Sequence, residues 1–160
     1  MFIPGRKCDI IFLDSETKAG KLVKWWTNSM FDHVEICLGD RKVIGARPND
    51  GVKVRDISSF EEDRWCLTRP AVNLSDGDKD IIINFALSKV GKKYDWLGIL
   101  GFAIDRDIDN PNRYFCSEFV SKAFSLKYPL IPRKPSGLIP PELIYQSWRV
   151  VPVASNFLKI

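Results

Sequence analysis

The spacing of apolar positions changes character partway along the chain. Residues 8–13, CDIIFL, form a short apolar run of the kind a buried strand shows. Residues 18–30 then set Leu22, Val23, Trp25 and Trp26 among lysines, which predicts an amphipathic helix ending near Asn28. A meander follows. Strand-like stretches at 33–38, 43–47, 52–57 and 64–69 are punctuated by Gly39-Asp40-Arg41 and Pro48-Asn49-Asp50-Gly51, both sequences that favour turns. Beyond Asn73 the period becomes helical. Ser75 and Asp76 cap a predicted helix over about 77–90, with Ile81, Ile82, Phe85, Ala86 and Val90 on one side and Gly91 as its stop. A second helix begins near Cys116 and carries Phe119, Val120, Ala123 and Phe124 at helical spacing; Pro140-Pro141 opens a third, short one through Gln146. Strands first and helices afterwards, with no repeat and no linker, predict one α+β domain over residues 1–160.

Composition narrows the class. A chain of 160 residues with 45% hydrophobic content can bury a core without disulfides or a metal, and 28% charged residues argue against disorder. The four cysteines, 8, 37, 66 and 116, form no CxxC pair, so free thiols in a reducing compartment are expected rather than a zinc ribbon or a disulfide scaffold. Asp9 and Asp14 interrupt the N-terminal apolar stretch, which predicts no signal peptide and a cytoplasmic protein. The longest uncharged apolar run, 96–104, is far shorter than the roughly 20 residues of a membrane helix. The net charge of +4 is scattered in pairs such as Arg6/Lys7, Lys92/Lys93 and Arg133/Lys134, which suits a solvated surface and not a nucleic-acid groove. A weak attraction to anionic polymers, including cell wall, remains compatible with it.

The chain has one histidine, His33, so zinc sites that need two or three imidazoles are excluded, and no metal or cofactor is expected. Any histidine chemistry rests on His33. Cys116, in RYFCSEFVSKAF, stands where the helical stripe begins. A helix start favours a thiolate through its dipole and free N–H groups, and the same amides suit an oxyanion. The alternative for Cys116 is a small buried hydrophobe.

Several segments, in one order, resemble a known family. CDIIFL resembles an opening Gly-Asp-Ile-Ile strand, with Cys8 where glycine is usual; FDHVEICLGDRKVIGA resembles a His-Val-Gly-Ile-Tyr-Leu-Gly strand and its hairpin. VGKKYDWLG resembles a Gly-x-x-Tyr-Asp segment, YFCSEFV a Tyr-x-Cys-Ser-Glu helix start, and LIPPELIYQS a closing Pro-x-x-Leu helix. The set resembles the circularly permuted branch of the NlpC-type papain-like cysteine hydrolases, which includes the YiiX-like proteins and lecithin:retinol acyltransferase. The resemblance implies a permuted papain-like α+β fold, an antiparallel sheet or small barrel packed against helices. It implies Cys116 as nucleophile and His33 as general base, in a thiol hydrolase that cleaves an amide bond, with a cell-wall peptide as substrate. Acyl transfer or lipid-ester hydrolysis is the alternative within the same fold.

The chain departs from the family at one place. The polar residue that usually orients the imidazole falls on Gly45, which has no side chain. Glu35 is the substitute, because residues i and i+2 of a strand share a face; the rival reading is an exposed glutamate on an edge strand. Asp32 also neighbours His33, though on the opposite face. Ser117 and Glu118 complete the Cys-Ser-Glu pattern, Glu118 with the alternative role of a helix-start acid. Tyr94 and Tyr114 are candidates to line the cleft or to donate to an oxyanion, with packed aromatics as the alternative. Trp25, Trp26, Phe31 and the stretch 96–104 are candidates for an apolar groove. Gly45 also supports a third reading, a non-catalytic binding domain, including one carried in a phage particle.

Overall fold

The structure, a computed structural model, describes residues 5–60, 63–95, 112–131 and 139–157. The apolar stretch 96–104 lies outside them. The first strand, β1 (Ile10–Asp14), starts later than the apolar run because Cys8 turns the chain with a φ of 67°. That left-handed conformation is the reason glycine suits the position. Next comes helix α1 (Lys18–Thr27), whose N-cap Thr17 accepts the Gly20 N–H at 3.0 Å and which ends on a left-handed Asn28. The meander forms as expected: β2 (His33–Gly39), β3 (Lys42–Arg47), β4 (Gly51–Asp56) and β5 (Arg64–Pro70). A 3-10 turn at Ile57–Phe60 joins the last two.

Helix α2 (Asp76–Ser88) is capped by the Ser75 hydroxyl, which accepts the Asp78 N–H at 3.1 Å. Its buried face consists of Ile82, Ile83 and Ala86, whereas Ile81 and Val90, expected inside, are 42% and 50% exposed. Three consecutive isoleucines allow two apolar stripes, and packing against the next helix selects one of them. Short strands β6 (Lys93–Tyr94) and β7 (Arg113–Tyr114) pair in parallel. Helix α3 (Cys116–Ser125), helix α4 (Pro141–Tyr145) and strand β8 (Val150–Ser155) complete the order. Among the described residues no helix is long and apolar enough to cross a membrane.

The main sheet has the order β4-β3-β2-β1-β5-β8, with every neighbouring pair antiparallel. Sequence reading missed β8, which carries Pro152 in its middle; proline is tolerated there because β8 is an edge strand. The opposite edge, β4, bonds to the segment before β6: the Val52 N–H donates to the Lys92 carbonyl at 2.8 Å and the Gly91 N–H to Val52 at 2.9 Å. Gly51 permits that approach, since a Cβ there would lie 2.1 Å from the Lys92 oxygen.

The inner strands are buried on both faces. Ile10, Phe12, Val34, Ile36 and Ile44 join Phe119, Val120, Ala123 and Phe124 of α3 in the larger core. Ile11, Leu13, Cys37 and Val43 face the other way, under Ile57, Phe60, Trp65 and Leu67. Phe12 sits 5.1 Å from the Phe31 ring and 5.5 Å from Tyr145, which ties α4 and the loop before β2 to the sheet. Phe12→Ala is expected to cost about 3–5 kcal/mol of stability, as fully buried aromatics do, measurable by urea denaturation; a loss below about 1 kcal/mol would show that this aromatic cluster does not anchor the fold.

Candidate active site

The β2–β3 ladder pairs Gly39 with Lys42, Cys37 with Val43 and Ile36 with Ile44. Below Ile36 no further pair forms, and the start of α3 meets β2 there. The backbone N–H groups of Val34, the residue that follows His33, and of Ser117 lie near the Cys116 thiol and favour its charged form. Strand β2 and helix α3 thus bring the two residues that sequence reading singled out to adjacent positions.

Register places Leu13 opposite His33 and Ile11 opposite Glu35, so both polar side chains share the face of the smaller core. The imidazole Nε2 lies 2.8 Å from Glu35 Oε1. Glu35 is fully buried, on an inner strand, so it is not an exposed edge glutamate. Gly45 explains how it fits: a Cβ at residue 45 would lie 2.5 Å from Glu35 Cγ and 2.9 Å from Cδ. The position that is empty by family pattern is occupied by the Glu35 side chain from the neighbouring strand.

Two arginines complete the cluster. Arg47 Nε donates to Glu35 Oε1 at 2.9 Å while its guanidinium lies 4.2 Å above the Phe60 ring. Arg55, with a side chain 9% exposed, approaches the same oxygen with Nη1 at 3.4 Å. It is fixed by donation to the Gly45 and Lys53 carbonyls, both at 3.1 Å, and by an ion pair with Asp50. Burial alone would raise the Glu35 carboxyl; the hydrogen bond and charge of His33, then the charges of Arg47 and Arg55, outweigh it and hold the group below the ordinary glutamate range. Sequence reading named neither arginine. The available signal was Gly45 itself, a strand glycine opposite a polar residue.

For Cys116 the expectation of a lowered thiol is corrected. Burial pushes it up to about 12, and the nearby negative charges of Asp32 and Glu35 add to the rise, although the Val34 and Ser117 N–H groups oppose it. The other three thiols are also buried and raised by burial: Cys8 to about 12, with Cys37 and Cys66 in the same direction. Only Cys116 stands at a helix start and beside His33.

His33 opens onto a cleft of about 470 Å³, lined also by Asp32, Arg47, Asp50, Asp63 and Tyr94. Tyr94 packs 5.7 Å from the Phe115 ring, and burial together with the negative charges of Asp32 and Asp95 keeps its phenol protonated. The remaining candidates make local contacts. Asp32 accepts the Ser15 N–H at 3.0 Å and the Ser15 hydroxyl. Ser117 donates its hydroxyl to the Ile139 carbonyl. Glu118 accepts the Phe115 N–H at 3.4 Å and pairs with Lys122 at 2.8 Å. Tyr114 stacks edge-on against Phe119, 5.8 Å away, under Lys122.

Comparison with known proteins bears on the family and the fold. The family model described as permuted papain-like amidase enzyme, YaeF/YiiX, C92 family, matches residues 5–136. The crystal structure of the metalloprotein YiiX from Escherichia coli O157:H7 has a TM-score of 0.70 at 18% identity, over 96% of this chain and 98% of that one. At that identity the likeness is one of fold. No curated protein matches. Among the described residues no group of three or more His, Cys, Asp and Glu side chains is placed to hold a metal ion.

The Gly45–Glu35 fit has a measurable consequence. Gly45→Ala is expected to destabilise by about 1–3 kcal/mol, as overpacking does, and in a Glu35→Ala background most of that cost should vanish. A double-mutant cycle by urea denaturation should give a coupling above about 0.5 kcal/mol; additive losses would mean that the two residues do not compete for space.

Proposed function

The chain belongs to the permuted papain-like amidase family, and from that premise we propose that it is a thiol hydrolase in which Cys116 is the nucleophile, His33 the general base and Glu35 the carboxylate that orients the imidazole. The observation that carries this reading is the juxtaposition at β2: the thiol rests on the N–H of the residue next to His33, whose ring is anchored by a buried carboxylate. Gly45, which spoke for a non-catalytic domain, makes room for that carboxylate instead.

With Nε2 engaged by Glu35, Nδ1 is the ring nitrogen left to accept a proton. A thiol raised to about 12 does not stand ready as a thiolate. In the proposed reaction the proton passes from Sγ to Nδ1 as sulfur attacks the substrate carbonyl, and backbone N–H groups at the start of α3 stabilise the oxyanion. Collapse of the tetrahedral intermediate breaks the C–N bond, and the imidazolium gives its proton to the departing amine. Water, deprotonated by the same imidazole, then hydrolyses the thioester to release the acid and restore the thiol. Tyr94 lines the same cleft as His33, which supports reading it as a residue that contacts the substrate. The substrate we assign is a peptide amide, with cell-wall peptides as the class the family resemblance favours.

Alkylation tests this without a known substrate. With iodoacetamide at neutral pH, where the imidazole can take the thiol proton, Cys116 should be modified faster than Cys8, Cys37 and Cys66, and His33→Ala should remove the difference. Against a panel of peptide amides, His33→Ala should lose about 10²–10⁴-fold in rate and Cys116→Ala all activity. If Cys116 reacts no faster than the other three cysteines and His33→Ala changes nothing, the catalytic reading is wrong.

A further inference from the structure

Glu35 Oε1 receives three donors, His33 Nε2, Arg47 Nε and Arg55 Nη1, while Oε2 is buried with no hydrogen-bond partner among the described residues. A carboxyl group as deeply buried as this one would by itself take up a proton. It would then become a donor, and the imidazole Nε2, 2.8 Å from Oε1, stands where it can accept. That exchange would put the ring hydrogen on Nδ1 and remove the lone pair that the proposed reaction needs. The protonation state of Glu35 therefore decides which nitrogen of His33 is basic.

We propose that Arg47 and Arg55 are positioning residues that act through Glu35: their charges keep it ionised, and the ionised carboxylate fixes His33 as the Nε2–H tautomer with Nδ1 free to accept a proton. The inference rests on the catalytic reading above and extends it to two residues outside the Cys-His pair. Arg55 is suited to the role by its rigidity. Its Nη1 also bonds the carbonyls of Gly45 and Lys53, and its Nη2 pairs with Asp50 and bonds the Gly51 carbonyl at 3.3 Å, so its charge is held against the base of the site while its side chain stays out of the cleft lining. Arg47 lines the cleft and is braced by Phe60. The other ionisable groups around the imidazole do not supply this charge. Asp32, Asp50 and Asp63 on the cleft are acidic, and Tyr94 and Cys116 are held neutral by burial.

Because His33 is the chain's one histidine, long-range ¹H–¹⁵N NMR of the imidazole reads the tautomer without assignment ambiguity. In the wild type, above the pH at which the ring loses its charge, Nε2 should carry the proton and Nδ1 should not. The double variant Arg47→Met, Arg55→Met should lose that single state and move to the Nδ1–H form or to a mixture, whereas Arg55→Lys alone should retain it. A folded double variant with the wild-type tautomer overturns the proposal. Should the double variant fail to fold, ¹³C titration of the Glu35 carboxyl in the wild type and in Arg55→Met decides the matter: its midpoint should lie below the ordinary glutamate range in the first and rise in the second. A midpoint above neutrality in the wild type, or no change in the variant, refutes the arginine role. Failure of the catalytic reading looks different. It appears as an alkylation rate of Cys116 indifferent to His33→Ala, or as an imidazole whose tautomer and titration are unchanged by Glu35→Ala.

Discussion

A negative charge with no access to water organises this end of the molecule. Glu35 is fully buried on an inner strand, and an ionised carboxylate in such a place persists only when its partners repay desolvation. The surrounding sequence supplies them from three strands: His33 from β2, Arg47 from β3 and Arg55 from β4. The same requirement explains a residue that looks like a loss. Any side chain at residue 45 would claim the volume of the Glu35 methylenes, so the glycine and the glutamate are two halves of one solution. A family position filled from its own strand is here filled from the neighbouring one.

The second constraint is the point at which β2 and β3 stop pairing. An unbroken ladder would spend the Val34 N–H on a strand partner; the end of the ladder at Ile36 leaves it for the Cys116 sulfur. Helix α3 is pressed against that place by Phe119, Val120, Ala123 and Phe124, all fully buried. Packing in the larger core thus sets the position of the thiol, while the smaller core on the opposite face sets that of the imidazole and its carboxylate. Phe60 links the two requirements on the second face, since it belongs to that core and also supports the Arg47 guanidinium.

The features legible in the sequence are those fixed by local physics. The turns at residues 39–41 and 48–51 declare themselves because left-handed backbone favours Gly, Asn and Asp, and the start of α3 because apolar spacing changes there. Ser75 announces a helix start through a cap that needs only three residues. Elements set by distant partners were not legible. Strand β8 is held by β5, some eighty residues earlier in the chain, and its proline argues locally against a strand. The phase of α2 among three isoleucines depends on a helix outside its own sequence window. Arg55 reads as an ordinary polar position on an alternating strand until the register puts it beside Glu35. The acidity of Cys116 failed for the same reason: the helix start acts locally and was foreseen, whereas burial, which outweighs it, is a property of the whole fold.

That last reversal changes how the site should be thought of. A cysteine hydrolase can hold its nucleophile as a standing thiolate–imidazolium pair or can generate it as the substrate is attacked. The first requires an environment that favours two charges; here the thiol is fully buried, with Asp32 and Glu35 adding negative potential and Tyr94 uncharged beside it. On the catalytic reading the charge is instead placed one residue further back, on Glu35, where the arginines can stabilise it permanently without competing for the sulfur. Such an arrangement holds the imidazole in one orientation, and it leaves the thiol neutral until a carbonyl arrives to draw electron density from it. The cost of burying charge is met once, during folding, at a carboxylate that never reacts. The group that must change charge in every turnover is kept apart from that network and is reached through the imidazole.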